Sequence, residues 1–78
     1  MTHDEVISVL QTAATYDGRK PADSLIDAWT QAAWRAGWSY DDALDAVHQH
    51  YSASTDWIMP GHVTKLIRTG GNSPQWQE

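Results

Sequence analysis

Apolar residues recur at helical spacing in four separate stretches of the chain. In the clearest stretch, apolar side chains stand at positions i, i+3, i+4, i+7 and i+11 counted from Tyr40, with acids and a glutamine between them. This pattern predicts an amphipathic helix over residues 40 to 52. Ser39 is its predicted N-cap, because the serine hydroxyl can accept a hydrogen bond from the backbone N–H of Asp42. Acidic residues in the first turn also complement the helix dipole.

Two helices are predicted before this one. Thr2 and Glu5 have the spacing of a capping box and are followed by an apolar stripe, so a first helix is expected over residues 3 to 15. The next segment contains Asp-Gly and Pro, which break the helical pattern. Helical spacing then resumes in a second helix over residues 22 to 36, which Gly37 ends.

The last helix is predicted over residues 60 to 69, because Pro60 suits the first turn of a helix. Residues 70 to 78 combine glycine, proline and polar side chains without periodicity, which predicts a flexible tail. The sequence therefore predicts an all-α fold, a single compact domain of about four short helices over residues 1 to 69. The predicted core consists of Leu10, Leu25, Trp29, Leu44, Val47, Tyr51, Ile58 and Leu66.

Five tryptophans and no phenylalanine among 78 residues is an unusual composition. Tryptophan buries a large apolar surface in a single residue, so we interpret Trp29 and Trp57 as core residues of a small domain. Trp34, Trp38 and Trp76 lie off the main apolar stripes. We expect these three to be partly exposed or to form an interface, where tryptophan is enriched.

The balance of charge limits the classes of partner. Ten acidic residues against five basic ones give a formal net charge of −5, which opposes non-specific attraction to nucleic acid and to anionic lipid. We therefore expect nucleic-acid binding to be weak or indirect and expect no membrane interaction. Two of the cations, Arg19 and Lys20, fall in the connection between the first two helices. We interpret this connection as a solvated loop whose cations offset nearby acids.

The sequence also indicates a compartment. It contains no cysteine, no apolar run of the 18 or more residues that a membrane span needs, and no signal-peptide pattern at its N-terminus. The prediction is a cytoplasmic protein.

No catalytic residue, metal site or cofactor is predicted. His48 and His50 suggest a metal site, but side chains at i and i+2 of a helix point about 200° apart and cannot share one ion without distortion. The acids near Ser39 are explained by the helix start. Since no phosphate-binding loop or cofactor fingerprint is present, we do not expect an enzyme.

A short turn separates the second and third helices, which leaves a helix-turn-helix open as an alternative. The helix after this turn carries three aspartates and no Lys or Arg, so it would repel phosphate. The last helix carries Lys65 and Arg68 and is the better candidate. The alternative function is therefore a small DNA-binding or regulatory protein that acts through the last helix.

Short motifs in this order suggest a family: AW at 28–29, ALDAVxxHY at 43–51, WIMPxxV at 57–63 and IR at 67–68. Together they resemble the small helical domain of phage replisome organisers, the family of replicative-helicase loaders and inhibitors, over about residues 27 to 68. The resemblance implies a compact helical domain without catalysis, which handles a replicative helicase or the origin complex during phage replication. It also implies that the family's helicase-contacting part follows the helical domain, where this chain has residues 70 to 78.

The predicted function is a non-catalytic protein-interaction module that is phage-encoded or phage-derived. Its expected partner is a host or phage protein, with the replicative helicase as the leading candidate, and a homodimer is left open. Binding energy concentrates in aromatic and arginine side chains, so we predict two partner-binding patches. The first patch consists of Trp34, Arg35 and Trp38, and the second patch consists of Lys65, Arg68 and Trp76.

Overall fold

A computed structural model describes residues 1–71 of the chain and places them in helices joined by short connections. In order these are α1 (His3–Asp17), α2 (Asp23–Ala36), α3 (Tyr40–Ala53), α4 (Pro60–Leu66) and a π-helix (Ile67–Gly71). This part of the chain has no β-strand, so the all-α prediction is confirmed. Among the same residues, no helix combines the length and the apolar character that crossing a membrane requires.

Both predicted side-chain caps are confirmed. At the start of α1, the Glu5 N–H donates to Thr2 Oγ1 at 3.1 Å and the Thr2 N–H donates to Glu5 Oε1 at 2.9 Å, which completes the capping box. At the start of α3, the Asp42 N–H donates to Ser39 Oγ at 3.1 Å. Each bond pairs a backbone donor that a helix start otherwise leaves without a partner.

Glycines end the first two helices. Gly18 and Gly37 have φ angles of 76° and 71°, in the left-handed region that residues with a Cβ rarely adopt. The Gly18 N–H donates to Ala14 O at 2.8 Å, which closes the last turn of α1. As a result α1 runs two residues beyond the predicted end at residue 15.

The first and third helices run side by side in the same direction. Ser8 and Tyr40 hydrogen-bond at 2.8 Å near the starts of the two helices, and Tyr16 and His48 hydrogen-bond at 2.6 Å near their ends. The second helix packs against α1 and α4, and α4 also packs against α3. The carboxyl ends of α1 and α3 therefore lie together at one end of the molecule.

Four of the eight predicted core residues are fully buried, and the other four pack against the core while partly exposed. The predicted members that are fully buried are Leu10, Trp29, Val47 and Ile58. The predicted members that pack against this core while partly exposed are Leu25, Leu44, Tyr51 and Leu66. The prediction for Trp57 is wrong, since this side chain is 55% exposed. It lies in the connection between α3 and α4, where no helical face directs it inward.

Trp38 is buried, which corrects its assignment to an exposed patch. The residue is only 4% exposed, and its ring meets the Trp29 ring edge to face with the centroids 5.9 Å apart. Its Nε1 donates to Thr64 Oγ1 at 2.9 Å, so both the apolar ring and the polar N–H are accommodated inside. Trp38 thereby ties the turn between α2 and α3 to α4, and the first patch is reduced to Trp34 and Arg35.

The end of the last helix differs from the predicted one. The α-helical geometry stops at Leu66, and the chain continues as the π-helix through Gly71, two residues beyond the predicted end at residue 69. Of the predicted flexible tail, residues 72 to 78 lie outside the described part of the chain. Trp76 of the second patch is among them.

Candidate functional site

Arg19 is buried, so the prediction of a solvated loop is wrong for this residue. Its side chain is 3% exposed and that of Asp17 is 2% exposed. The Arg19 backbone N–H donates to Asp17 Oδ1 at 3.0 Å, while Nε and Nη2 donate to Asp17 Oδ2 at 2.9 Å and 2.6 Å. The chain folds back over the end of α1 after Gly18, which brings the guanidinium inside. Lys20, the next residue, is exposed as predicted.

The Arg19 guanidinium also contacts the other elements at this end of the molecule. Its Nη2 donates to the main-chain carbonyl of Ile58 at 2.9 Å and to the Tyr51 hydroxyl at 3.5 Å. The Tyr51 hydroxyl donates to Asp17 Oδ2 and accepts from the Ile58 N–H at 2.9 Å. We call Asp17, Arg19, Tyr51 and the backbone of Ile58 the buried network. It joins the end of α1, the end of α3 and the segment before α4.

A buried arginine is suited to this position for electrostatic reasons. The carbonyl ends of α1 and α3 carry partial negative charge, and the last turn of α1 contains no basic residue of its own. Arg19, placed just after Gly18, supplies a positive charge there. Taking the ion pair out of water is costly, and the hydrogen bonds from Arg19 Nε and Nη2 to Asp17, Tyr51 and Ile58 offset that cost.

The ionisation of the network favours the charged pair. Burial raises the pKa of the Asp17 carboxyl, but hydrogen bonds from Arg19 and Tyr51 outweigh burial and hold that pKa below its ordinary value. Burial lowers the pKa of the Arg19 guanidinium, and the bonds to Asp17 and Tyr51 more than reverse this, so its pKa is raised. Burial, followed by the hydrogen bond to Asp17, raises the pKa of the Tyr51 phenol. Asp17 and Arg19 are therefore ionised together, and Tyr51 stays neutral.

Above this network lies a cleft of about 360 Å³. Tyr16 stacks on Tyr51 with the ring centroids 4.9 Å apart and an interplanar angle of 17°. On the other side, the Trp57 ring lies over the Arg19 guanidinium, 4.8 Å from Cζ to the ring centroid. We call this the aromatic cleft. Its lining residues are Tyr16, Asp17, Tyr51, Ser54, Thr55 and Trp57.

The rim of the aromatic cleft exposes large side chains to solvent. Tyr16 is 48% exposed, Trp57 is 55% exposed, and Met59 near Trp57 in the sequence is also about half-exposed. The Tyr16 hydroxyl is fixed by its bond to His48 Nδ1. Clustered exposed aromatic side chains on a rigid support are typical of a binding surface. The arrangement is suited to binding.

Two further histidines, His50 and His62, serve the structure around the connection between α3 and α4. His50 is buried, and its Nε2 lies 2.7 Å from the main-chain carbonyl of Asp56. His62 Nδ1 accepts from the Met59 N–H at 2.9 Å and so caps the start of α4. The two imidazole centroids are 4.7 Å apart. Within residues 1–71, no three side chains of the metal-binding types come together as a cluster.

The predicted site residues fall in different environments. Trp34 is 80% exposed and its neighbour Arg35 is exposed on α2, as the first patch requires. Lys65 on α4 and Arg68 on the π-helix are both exposed. Trp38 belongs to the core, and Trp76 lies outside the described residues.

Sequence reasoning missed the aromatic cleft. One signal for it was present, because Tyr16 stands three residues after Ala13 and so continues the apolar stripe of α1 beyond its predicted end. The Asp17-Gly18-Arg19 sequence placed opposite charges on either side of a helix-ending glycine. Nothing in the sequence indicated that Tyr51 and Ile58 would meet them.

Known proteins offer no template for this site. Comparison of the chain with protein-family models, with curated proteins and with solved structures gave no match. The resemblance of residues 27 to 68 to phage replisome organisers stays a prediction from the sequence.

Proposed function

We propose that this protein is a non-catalytic protein-interaction module that binds a partner protein through the aromatic cleft. The observation that carries this proposal is the half-exposed pair Tyr16 and Trp57, held over a buried ion pair. Interfaces concentrate their binding energy in a few aromatic side chains near their centre. A cleft whose walls are already fixed loses less side-chain freedom on binding.

The buried network supports the proposal because it fixes both walls. Tyr51 is held by three hydrogen bonds, and Tyr16 stacks on its ring. Trp57 precedes Ile58, whose N–H and carbonyl are both bonded to the network. Much of the ordering that binding would require is thus already present in the free protein.

The candidate partner is a replicative helicase of a host bacterium or phage, as the sequence resemblance implies. Trp57 and Met59 belong to the WIMP motif that contributes to the resemblance, and both side chains are about half-exposed. The second patch of Lys65, Arg68 and Trp76 is a further proposed contact, and the exposed Trp34 with Arg35 on α2 is the competing location for the contact. A phage origin and a location in the host cytoplasm belong to the same proposal.

The test is binding of a purified bacterial replicative helicase to the immobilised protein. We expect Tyr16→Ala and Trp57→Ala each to weaken binding by about tenfold or more, as hot-spot residues do. Trp34→Ala is the matched control, since it removes an exposed tryptophan from another face. Circular dichroism verifies that each variant is folded. Binding that responds to Trp34→Ala alone would move the site to the first patch, and no binding by the wild-type protein would exclude this helicase as the partner.

The alternative, DNA binding through the last helix, draws on the exposure of Lys65 and Arg68. With two cations on one face, the logarithm of the DNA-binding constant should fall with the logarithm of the salt concentration at a slope of about −2. We expect duplex DNA to bind weakly at physiological salt. Tight binding with a slope steeper than about −4 would favour a DNA-binding oligomer over an interaction module.

A further inference from the structure

We propose that the aromatic cleft accepts a basic side chain, a lysine or an arginine presented by the partner protein. The inference rests on the proposed function and names the chemistry that the cleft would recognise. The aromatic walls, the charges around the cleft and its size all favour such a side chain.

The walls of the cleft are the faces and edges of electron-rich rings. Tyr16, Tyr51 and Trp57 surround the opening, and the faces of such rings attract cations. The Trp57 ring already makes a contact of this kind, because the Arg19 Cζ lies 4.8 Å from its centroid. Trp57 remains 55% exposed, so Arg19 leaves much of this side chain available from solvent.

The charges around the cleft also favour a cation. None of its six lining residues is basic, and the one that ionises to a charge at neutral pH is Asp17. Arg19 beneath the cleft is matched by Asp17 in the ion pair, so this pair adds no net positive charge that would repel a cation. Further out, the exposed residues Asp56, Lys20 and His48 lie on neighbouring segments. The chain as a whole carries a formal charge of −5.

An anionic group would find no cation among the lining residues. Ser54 and Thr55 carry hydroxyl oxygens that can accept from an ammonium or a guanidinium, and Ser54 Oγ has a second lone pair for this beside its bond from the Asp56 N–H at 3.0 Å. Asp17 is already occupied by Arg19 and Tyr51, so the aromatic rings and hydroxyls rather than a new ion pair would hold the occupant.

The size of the cleft suits one long side chain. A volume of about 360 Å³ is at the lower end of the range of small-molecule pockets, which begins near 300 Å³. A helix or a strand of the partner would not fit inside it. A lysine or arginine projecting from the partner's surface would reach in while the rim contacts the surrounding chain.

The test is a titration of the ¹⁵N-labelled protein with blocked amino acids, followed by NMR chemical shifts. The probes are Nα-acetyl-lysine methylamide and Nα-acetyl-arginine methylamide. The controls are the norleucine analogue, which is apolar, and the glutamate analogue, which is acidic. We expect the basic probes to shift the amides of residues 54 to 57 and the Trp57 indole, with an affinity at least about fivefold above that of norleucine.

Variants separate the aromatic contribution from apolar area. Tyr16→Leu and Trp57→Leu keep an apolar side chain but remove the ring, and we expect each to reduce the affinity for the basic probes by about fivefold. Trp34→Leu is the matched control on α2 and should have no effect. Equal binding of norleucine, or shifts that spread away from the cleft, would overturn the proposal. If the helicase bound through Tyr16 and Trp57 while the basic probes did not, this inference would fail and the proposed function would stand.

Discussion

Arg19 donates a hydrogen bond from Nη2 to the main-chain carbonyl of Ile58 at 2.9 Å, across 39 positions of the chain. This bond joins the turn after α1 to the segment before α4. The same guanidinium is bonded to Asp17, and the Tyr51 hydroxyl lies beside both. These bonds fix the connection after α1 and the segment before α4, which form the floor of the aromatic cleft.

Removal of the Arg19 charge should destabilise the protein strongly. Arg19→Met keeps a long apolar side chain but leaves the Asp17 carboxylate buried without its partner, which costs about 3–5 kcal/mol in the free energy of unfolding. Urea unfolding followed by far-UV circular dichroism measures the loss. Lys20→Met is the matched control, because Lys20 is exposed and its replacement should change stability by less than about 0.5 kcal/mol.

A double variant tests whether the unpaired charge is the cause. Asp17→Asn combined with Arg19→Met removes both charges together, because an asparagine side chain is neutral and close in shape to aspartate. We expect the double variant to be less destabilised than Arg19→Met alone, since no uncompensated carboxylate remains. Additive losses from the two single variants would show that Asp17 and Arg19 are not energetically coupled.

The free energy of unfolding should fall at acidic pH, because protonation of Asp17 breaks its pairing with Arg19. The folded-state pKa of Asp17 lies below the unfolded value of about 3.9, so the folded state binds fewer protons there than the unfolded state. The stabilisation is complete above about pH 3.9 and is lost as the pH falls through the folded-state pKa. Urea midpoints measured against pH should show the wild-type advantage over Asp17→Asn shrinking in this acidic window. A constant advantage across it would contradict the lowered pKa.

Truncation should destabilise the protein strongly at the buried Trp38 and hardly at all at the exposed Trp34. Trp38→Ala removes a buried ring that packs on Trp29 and should cost about 3–5 kcal/mol. Trp34→Ala removes a side chain that is 80% exposed and should change stability by less than about 0.5 kcal/mol. Trp38→Phe keeps a ring but loses the bond to Thr64, so it should fall between them. Chemical unfolding of the three variants checks the order, and equal losses at positions 34 and 38 would show that the core is misassigned.

Local signals in the sequence were sufficient for the helices. Thr2 with Glu5, and Ser39 with Asp42, carry cap chemistry that depends only on neighbouring residues, and both caps are present in the structure. Apolar periodicity located each helix because a helical face is a repeating pattern. The change to π-helical geometry after Leu66 has no such pattern, so the sequence did not indicate it.

The aromatic cleft could not be predicted because half of its lining residues, and the arginine beneath it, lie in connections between helices. Arg19, Trp38 and Trp57 all lie between helices, where no periodicity tells which side faces inward. Their environments are decided by contacts with residues distant in the chain, such as Ile58 for Arg19 and Thr64 for Trp38. For this reason the sequence prediction placed Arg19 in solvent, Trp38 in an exposed patch and Trp57 in the core, and all three assignments are wrong.

The buried network holds the segment before α4 and so shapes the aromatic cleft. Native-state hydrogen exchange of the Ile58 amide tests it most directly, because Ile58 lies outside the helices and its N–H donates to the Tyr51 hydroxyl at 2.9 Å. Tyr51→Phe removes that hydroxyl and keeps the ring. We expect the Ile58 amide to be protected in the wild-type protein and to exchange about tenfold faster or more in Tyr51→Phe, while the Leu10 amide in α1 keeps a larger share of its protection. An Ile58 amide that exchanges as in an unstructured peptide in the wild-type protein, or that is unaffected by Tyr51→Phe, would contradict the claim.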